Sequence, residues 1–125
     1  MSLLFNAKAR ILLFLLILLT ACTTIASIPL EPEAPEEQSL DSLTKYESQL
    51  LEYVIYLQVF LVNTQKTVKD NDYPKFTFFD TNKLKSSQTI NTLKSNITLM
   101  KQYIDLTKPI AEKVYKKYSK RISMG

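Results

Sequence analysis

Two stretches of the chain carry an unbroken heptad pattern of apolar residues, and this pattern restricts the fold more than any other feature. In the first stretch, steps of three and four residues separate the patterned positions from Leu40 to Val68. The second stretch repeats this alternation from Ser86 to Tyr118. Such spacing places apolar side chains along one helix face and is typical of helices that pair lengthwise. The sequence therefore predicts an all-α fold built on two long helices.

Capping residues and prolines set the predicted ends of these helices. We predict the first helix over residues 39–70, because a serine or aspartate at its start can cap the free backbone N–H groups. The second helix is predicted over residues 81–107. Pro109 then lies at a bend or in the first turn of a last helix that ends near residue 122, since the residue before a proline is disfavoured in helical conformation. The predicted helical domain spans residues 39–122.

The link between the helices decides how they pair. Residues 73–80 form a short aromatic link, and a short link makes an antiparallel helical hairpin, or coiled coil, the expected arrangement. That arrangement places the acidic stretch 31–52, net charge −6, beside the basic stretch 106–125, net charge +5. The rival arrangement is two separate helices that each join other chains.

Three phenylalanines in the link, Phe76, Phe78 and Phe79, have two interpretations. They fold back and cap the end of the hairpin, or they project as an apolar tip. A projecting tip would contact a bilayer interface or the groove of a partner. The sequence leaves this choice open.

The first helix carries more apolar surface than one partner helix covers. Residues 50–62 are apolar at eleven of thirteen positions, whereas a single neighbour covers only a stripe. This surface therefore needs more protein, which is the segment after Pro109, a second copy of the chain or a different protein, and we favour an intermolecular partner. The predicted interface consists of Leu43, Leu50, Val54, Leu57, Leu61, Ile90, Leu93, Ile97, Met100 and Ile104.

The composition argues against catalysis. The chain has no histidine and no tryptophan, and its one cysteine cannot form a disulfide within the chain. Histidine is the commonest general base near neutral pH and the commonest metal ligand. We expect no enzymatic activity, no metal and no cofactor. The basic C-terminal stretch is not expected to bind nucleic acid.

The N-terminus has the pattern of an export signal. Lys8 and Arg10 precede nine consecutive apolar residues, and the sequence Leu19-Thr20-Ala21-Cys22 follows. The apolar run is shorter than the roughly 20 residues that a membrane-spanning helix needs. These residues resemble the lipobox of bacterial lipoprotein precursors, in which Leu19, Thr20 and Ala21 are recognised by the signal peptidase.

The lipobox resemblance implies a division of the chain. Residues 1–21 are a signal peptide that is cleaved off, and Cys22 carries a thioether-linked diacylglycerol and an N-acyl lipid. Residues 22–38 form an acidic, proline-rich tether in an extended conformation. The sixteen residues after Cys22 reach about 50 Å at ~3.1 Å each. Residues 123–125 are a short tail.

The lipobox, the tether and the paired helices together resemble the outer-membrane subunit of two-component phage spanins, particularly those of T4-like phages. The resemblance implies a partner, the inner-membrane spanin subunit or another periplasmic coiled-coil protein, and fusion of the two membranes during host lysis. By analogy with enterobacterial lipoproteins, Thr23 after the cysteine favours the inner leaflet of the outer membrane, facing the periplasm.

A second interpretation is a bacterial accessory lipoprotein. A secretin pilotin, or an exclusion lipoprotein of conjugation systems, would have a self-sufficient helical domain that binds a partner protein. The resemblance favours the spanin subunit, and the accessory lipoprotein is the alternative.

Overall fold

Two long α-helices make up most of the described chain. The computed structural model describes residues 27–124, with side chains up to residue 120. Helix α1 spans Leu40–Val68 and helix α2 spans Ile90–Met124, with a short 3-10 helix, Thr81–Lys83, between them. Residues 27–124 contain no β-strand. The predicted all-α class, with two long helices packed against each other, is confirmed.

Hydrogen bonds fix both ends of α1. The Ser39 side chain accepts from the backbone N–H of Ser42, and the Ser42 side chain accepts from the backbone N–H of Ser39. This reciprocal capping satisfies two donors that the first turn leaves free. At the other end Lys69 adopts a left-handed conformation, with φ 49°, and its N–H donates to the Gln65 carbonyl oxygen at 3.2 Å.

Helix α2 begins nine residues later than predicted, at Ile90 instead of residue 81. Its first turn is capped by Thr89, whose hydroxyl oxygen accepts from the Thr92 N–H at 3.2 Å. The intervening residues 81–89 are mostly serine, threonine, asparagine and lysine. Serine, threonine and asparagine favour turns and caps over helix interiors, and Leu84 alone offers apolar burial there. The link between the helices is therefore much longer than the sequence suggested.

Pro109 does not end a helix. The sequence predicted a separate last helix that begins near Pro109, but α2 is one helix from Ile90 to Met124 and Pro109 lies inside it. Both Pro109 and Asp105, whose carbonyl loses its helical donor, are exposed, so water can satisfy that carbonyl. Beyond the proline, Ala111 and Val114 are fully buried. Burial of this face offsets the cost of the proline.

The two helices run parallel, so the predicted antiparallel direction is wrong. Near the start of both helices, the Asn96 amide donates to the Glu47 carboxylate at 2.9 Å, a separation of 49 residues. Near their other end, the Tyr118 hydroxyl donates to the Asp70 carboxylate at 2.7 Å, a separation of 48 residues. An almost constant separation along the pair requires the same chain direction in both helices.

The length of the connection explains the parallel arrangement. Between Val68 and Ile90 lie 21 residues, which span about 70 Å when extended. Helix α1 has 29 residues and is about 44 Å long, so the connection reaches back along its whole length. The Tyr73 hydroxyl donates to the Leu61 carbonyl oxygen at 2.6 Å. Farther along, the Tyr103 hydroxyl donates to the Thr77 carbonyl oxygen at 2.6 Å.

The core repeats with a fixed register. Adding 50 to each buried position of α1 gives a buried position of α2. Burying one large aliphatic side chain contributes about 1.5–3 kcal/mol, so this shared stripe is the main source of stability. The paired positions are Leu43 and Leu93, Tyr46 and Asn96, Leu50 and Met100, Tyr53 and Tyr103, Val54 and Ile104, Leu57 and Thr107, Leu61 and Ala111, and Thr64 and Val114.

The parallel direction also separates the charges. The antiparallel prediction places the basic C-terminal stretch beside Asp41 and the acidic tether. The tether does meet the basic stretch at one point, where the Glu31 carboxylate lies 3.9 Å from the Lys108 ammonium. Asp41 does not, because it lies at the start of α1, whereas Lys117 lies 3.8 Å from the Asp70 carboxylate, just after the end of α1. The pair therefore has an acidic end and a basic end.

Spin-label distances test the chain direction. With Cys22→Ser as background, labels at Asp41→Cys and Asn91→Cys lie at the same level of the pair, whose axes are about 8–10 Å apart. Labels at Asp41→Cys and Lys116→Cys lie about 38 Å farther apart along the axis. We expect pulsed electron paramagnetic resonance to give the shorter distance for the first pair. The reverse order would indicate an antiparallel hairpin.

Candidate functional site

The structure places most of the predicted interface inside one chain. Eight of its ten residues are at most 4% exposed and line the contact between α1 and α2. The other two lie at the margin, since Ile90 is 40% exposed and Ile97 is half-buried. In this fold the eight buried side chains are not available to a second polypeptide. The heptad pattern located the core correctly, but the partner of each helix is the other helix of the same chain.

Some apolar surface stays exposed on α1. Ile55 is 50% exposed and Val59 is 51% exposed, one helical turn apart on the side away from α2. Beside them the rings of Tyr56 and Phe60 stack with centroids 6.5 Å apart. We refer to Ile55, Tyr56, Val59 and Phe60 as the α1 patch. The other apolar residues of the stretch 50–62 that lie outside the heptad positions are more covered than the sequence implied, because extended segments pack against the helices.

The aromatic link covers one flank of the helix pair. Phe76 and Phe79 pack against the core, and the Phe79 ring meets the Tyr103 ring edge-on with centroids 5.5 Å apart. They fold back, as the first interpretation predicted, but along the flank of the helices and not over their end. Phe78 points outward and is 66% exposed. Burial raises the pKa of Tyr73, in the same link, to about 12.

On the other flank of the helix pair lies part of the predicted tether, which the sequence had indicated would make no contact with the helices. Residues 28–31, which we call the docked segment, lie in the groove between α1 and α2. Ile28 packs against the core, and the Tyr53 hydroxyl donates to the Pro29 carbonyl oxygen at 3.0 Å. The Glu31 carboxylate accepts from the Lys101 ammonium and lies 3.9 Å from that of Lys108. The docked segment thus contacts both helices.

The electrostatics of this contact favour docking. The hydrogen bond from its ammonium to the Glu31 carboxylate is the main reason that the pKa of Lys101 is raised. Lys101 therefore keeps its charge throughout the neutral range. Burial raises the pKa of Tyr53, so its hydroxyl keeps the proton that it donates to Pro29. One neutral hydrogen bond, from Tyr53, and one ion pair, with Lys101, therefore hold the docked segment against the helices.

Docking shortens the tether. The signal peptide and Cys22 lie outside the described residues, but the chain between Cys22 and Ile28 has a fixed maximum length. Six residues span about 20 Å at most, compared with the 50 Å expected for a free tether of sixteen residues. A lipid on Cys22 would therefore hold the helix pair close to its membrane. No sequence motif signals this docking, because it depends on side chains from three separate regions.

Two further features bear on the site. Among residues 27–120, no cluster of histidine, cysteine or acidic residues is suited to hold a metal ion. Neither α1 nor α2 is sufficiently long and apolar to cross a membrane.

A single charge-neutralising substitution tests the contact between Glu31 and Lys101. Glu31→Gln removes the partner of Lys101, and we expect docking to weaken by about 1 kcal/mol, the upper range for a partly exposed ion pair. The equilibrium constant for docking, measured from the nuclear magnetic resonance chemical shifts of Ile28 and Pro29, should then fall about fivefold. The matched control is Glu33→Gln, which removes the same charge from an exposed side chain. An equal fall in the two variants would contradict the docking contact.

Comparison with known proteins identifies relatives of the chain. It is 51% identical over 112 residues to the outer membrane lipoprotein BBA14 of Borreliella burgdorferi, a match that covers 88% of this chain and 93% of the relative. Because 88% of 125 residues is 110, the match begins no later than residue 16 and includes the lipobox. This relative supports the lipoprotein interpretation and an outer-membrane location; it gives no support to a spanin role.

A family model extends this relationship over the whole described core. Residues 27–120, from the docked segment to the last turns of α2, match the model of the Borrelia orf-D family. The match covers three quarters of the chain. The chain therefore belongs to the Borrelia orf-D family.

Proposed function

We propose that the chain is an outer-membrane lipoprotein anchored through Cys22, and that its helix pair is a protein-binding module without catalytic activity. The similarity to an outer membrane lipoprotein, in a match that includes Cys22, supports the anchor. The lipobox pattern of residues 19–22 supports it independently.

The docked segment is the observation that carries this proposal. It joins the position of the lipid to the helical core with six residues, so that the domain and its anchor act as one unit. A freely tethered domain would need no hydrogen bond from Tyr53 and no ion pair from Lys101 so near the anchor. The module is therefore built to work at the membrane surface.

Burial of the heptad positions within one chain favours the accessory-lipoprotein class over a spanin. A spanin subunit needs a free heptad seam to pair with a chain from the opposite membrane. Here the seam positions, such as Leu57 and Leu61, are completely buried within one chain. We therefore propose an accessory lipoprotein of the general kind that pilotins represent, and we do not propose membrane fusion.

The α1 patch is the surface that we assign to partner binding. Ile55 and Val59 are half-exposed, although burying the remaining apolar area would contribute about 1 kcal/mol for each. A partner with an apolar helix or strand face fits such a surface.

Lipid attachment is tested by Cys22→Ser. The unchanged chain should incorporate radiolabelled palmitate and partition into the detergent phase of Triton X-114, whereas the variant should lose both properties. Thr23→Ser is the matched control, because it leaves the lipobox cysteine in place. Palmitate incorporation by Cys22→Ser would contradict the proposed anchor.

Photo-cross-linking tests the α1 patch. A benzoylphenylalanine at position 55 should give a discrete cross-linked product in cells, and Val59→Asp should abolish it by placing a charge in the contact. The same probe at the exposed Asp105, on α2, is the control and should give none. Equal products from both positions, or no effect of Val59→Asp, would count against partner binding here.

A further inference from the structure

The last turns of α1 and the last third of α2 lie together, and this concentrates cations at one end of the molecule. We define the basic end as residues 64–75 and 110–120, which hold seven lysines against three acids, a net charge of +4. The acidic end, residues 33–48 and 80–98, holds four lysines against six acids, a net charge of −2. Only the parallel direction produces this polarity, since an antiparallel pair would bring the two stretches together.

The helix dipole explains only some of these cations. A lysine within the last turn of a helix interacts favourably with the free carbonyl groups there, but the effect fades beyond that turn. Lys113 and Lys116 lie two to three turns before the end of α2 at Met124. Both are exposed, and among the described side chains neither forms a salt bridge, whereas Lys117 lies near Asp70. These two cations are available to an external anion.

The start of the described chain lies at the same place. Ser27 and Ile28 line one wall of a groove of about 630 Å³, and Lys113, Tyr115 and Lys116 line the other. Because Cys22 is only six residues from Ile28, a lipid on Cys22 enters its membrane within about 20 Å of this groove. The groove is lined mainly by apolar atoms, with Glu112 as its one exposed acid.

A leucine beside the groove is held outward. Leu30 is 93% exposed, although both of its neighbours are fixed to the helices, Pro29 through Tyr53 and Glu31 through Lys101. An apolar side chain presented on an ordered segment, with lysines beside it, matches the boundary between lipid headgroups and acyl chains.

We propose that the basic end binds anionic phospholipid headgroups through Lys113 and Lys116, with Leu30 in the interface, so that the acidic end points away from the membrane. This inference rests on the proposed lipid anchor and adds an orientation to it. The anchor supplies proximity, and the charge polarity decides which end lies on the surface. The α1 patch is then carried above the membrane, where a partner can reach it.

The test measures which end of the lipidated chain lies nearer the bilayer. Lipid occupies Cys22, so one introduced cysteine is the only free thiol. Fluorophores at Gln65→Cys and Ser48→Cys, which are both exposed, report on the basic and the acidic end and lie about 26 Å apart along α1. In vesicles of phosphatidylcholine with phosphatidylglycerol, a headgroup-attached quencher should quench the label at position 65 far more than the label at position 48.

Charge variants connect this orientation to the two lysines. The double variant Lys113→Gln with Lys116→Gln should change the ratio of the two orientations. The ratio of molecules whose basic end contacts the bilayer to molecules in other orientations should fall about fivefold for each lysine removed. The matched control is Lys83→Gln with Lys94→Gln, which removes two exposed cations from the acidic end and should leave the quenching difference intact. The difference should also disappear in phosphatidylcholine alone or at high salt.

The outcomes separate the orientation from the anchor. Equal quenching at positions 48 and 65, or no response to Lys113→Gln with Lys116→Gln, overturns the headgroup contact while flotation with phosphatidylcholine vesicles still supports the anchor. Failure to float with phosphatidylcholine vesicles overturns the anchor instead. In that case flotation with vesicles that contain phosphatidylglycerol tests the headgroup contact. The double variant must float less than the unchanged chain, and equal flotation overturns the contact.

Discussion

Pairing of α1 and α2 in parallel, with a register of 50 residues, is the constraint on which the other features depend. Parallel helices need a connection as long as themselves, and residues 69–89 supply it as an extended segment fixed by Tyr73 and by Asn96, whose amide bonds both backbone groups of Lys85. Because the connection returns along the pair, both helix C-termini lie at one end. The separated charges follow from that direction and not from any local preference.

Extended chain on both flanks completes the core. Tyr53 faces the docked segment and Gln58, on the opposite side of the seam, accepts from the Phe79 N–H of the connection at 2.9 Å. Two helices alone bury one stripe, which would leave Tyr53 and Tyr103 in water. The flanking segments cover them and supply hydrogen-bond partners for their hydroxyls. The surplus apolar surface of α1 is thus largely satisfied within the chain.

The heptad pattern predicted the two helices and most of their buried residues, because burial on one helix face imposes a period that the sequence displays. It did not predict direction, since Leu43, Leu50 and Leu57 have the same spacing in parallel and antiparallel pairs. The sequence does contain a sign of the parallel register, because some buried residues of α1 have the same residue type 50 positions later in α2, as Tyr53 and Tyr103 do. Docking of residues 28–31 left no periodic signal, because it depends on single contacts between distant parts of the chain.

Docking of that segment depends on a few single contacts. Ordering four residues costs about 4–8 kcal/mol, and Pro29 lowers that cost because its φ angle is already fixed in the unfolded chain. The half-buried Ile28 side chain, the Tyr53 hydrogen bond and the Glu31 ion pair offset the cost, each by about 1 kcal/mol. Because these contributions are similar in size, the loss of any one contact weakens docking, while the buried stripe shared by α1 and α2 keeps the helix pair folded.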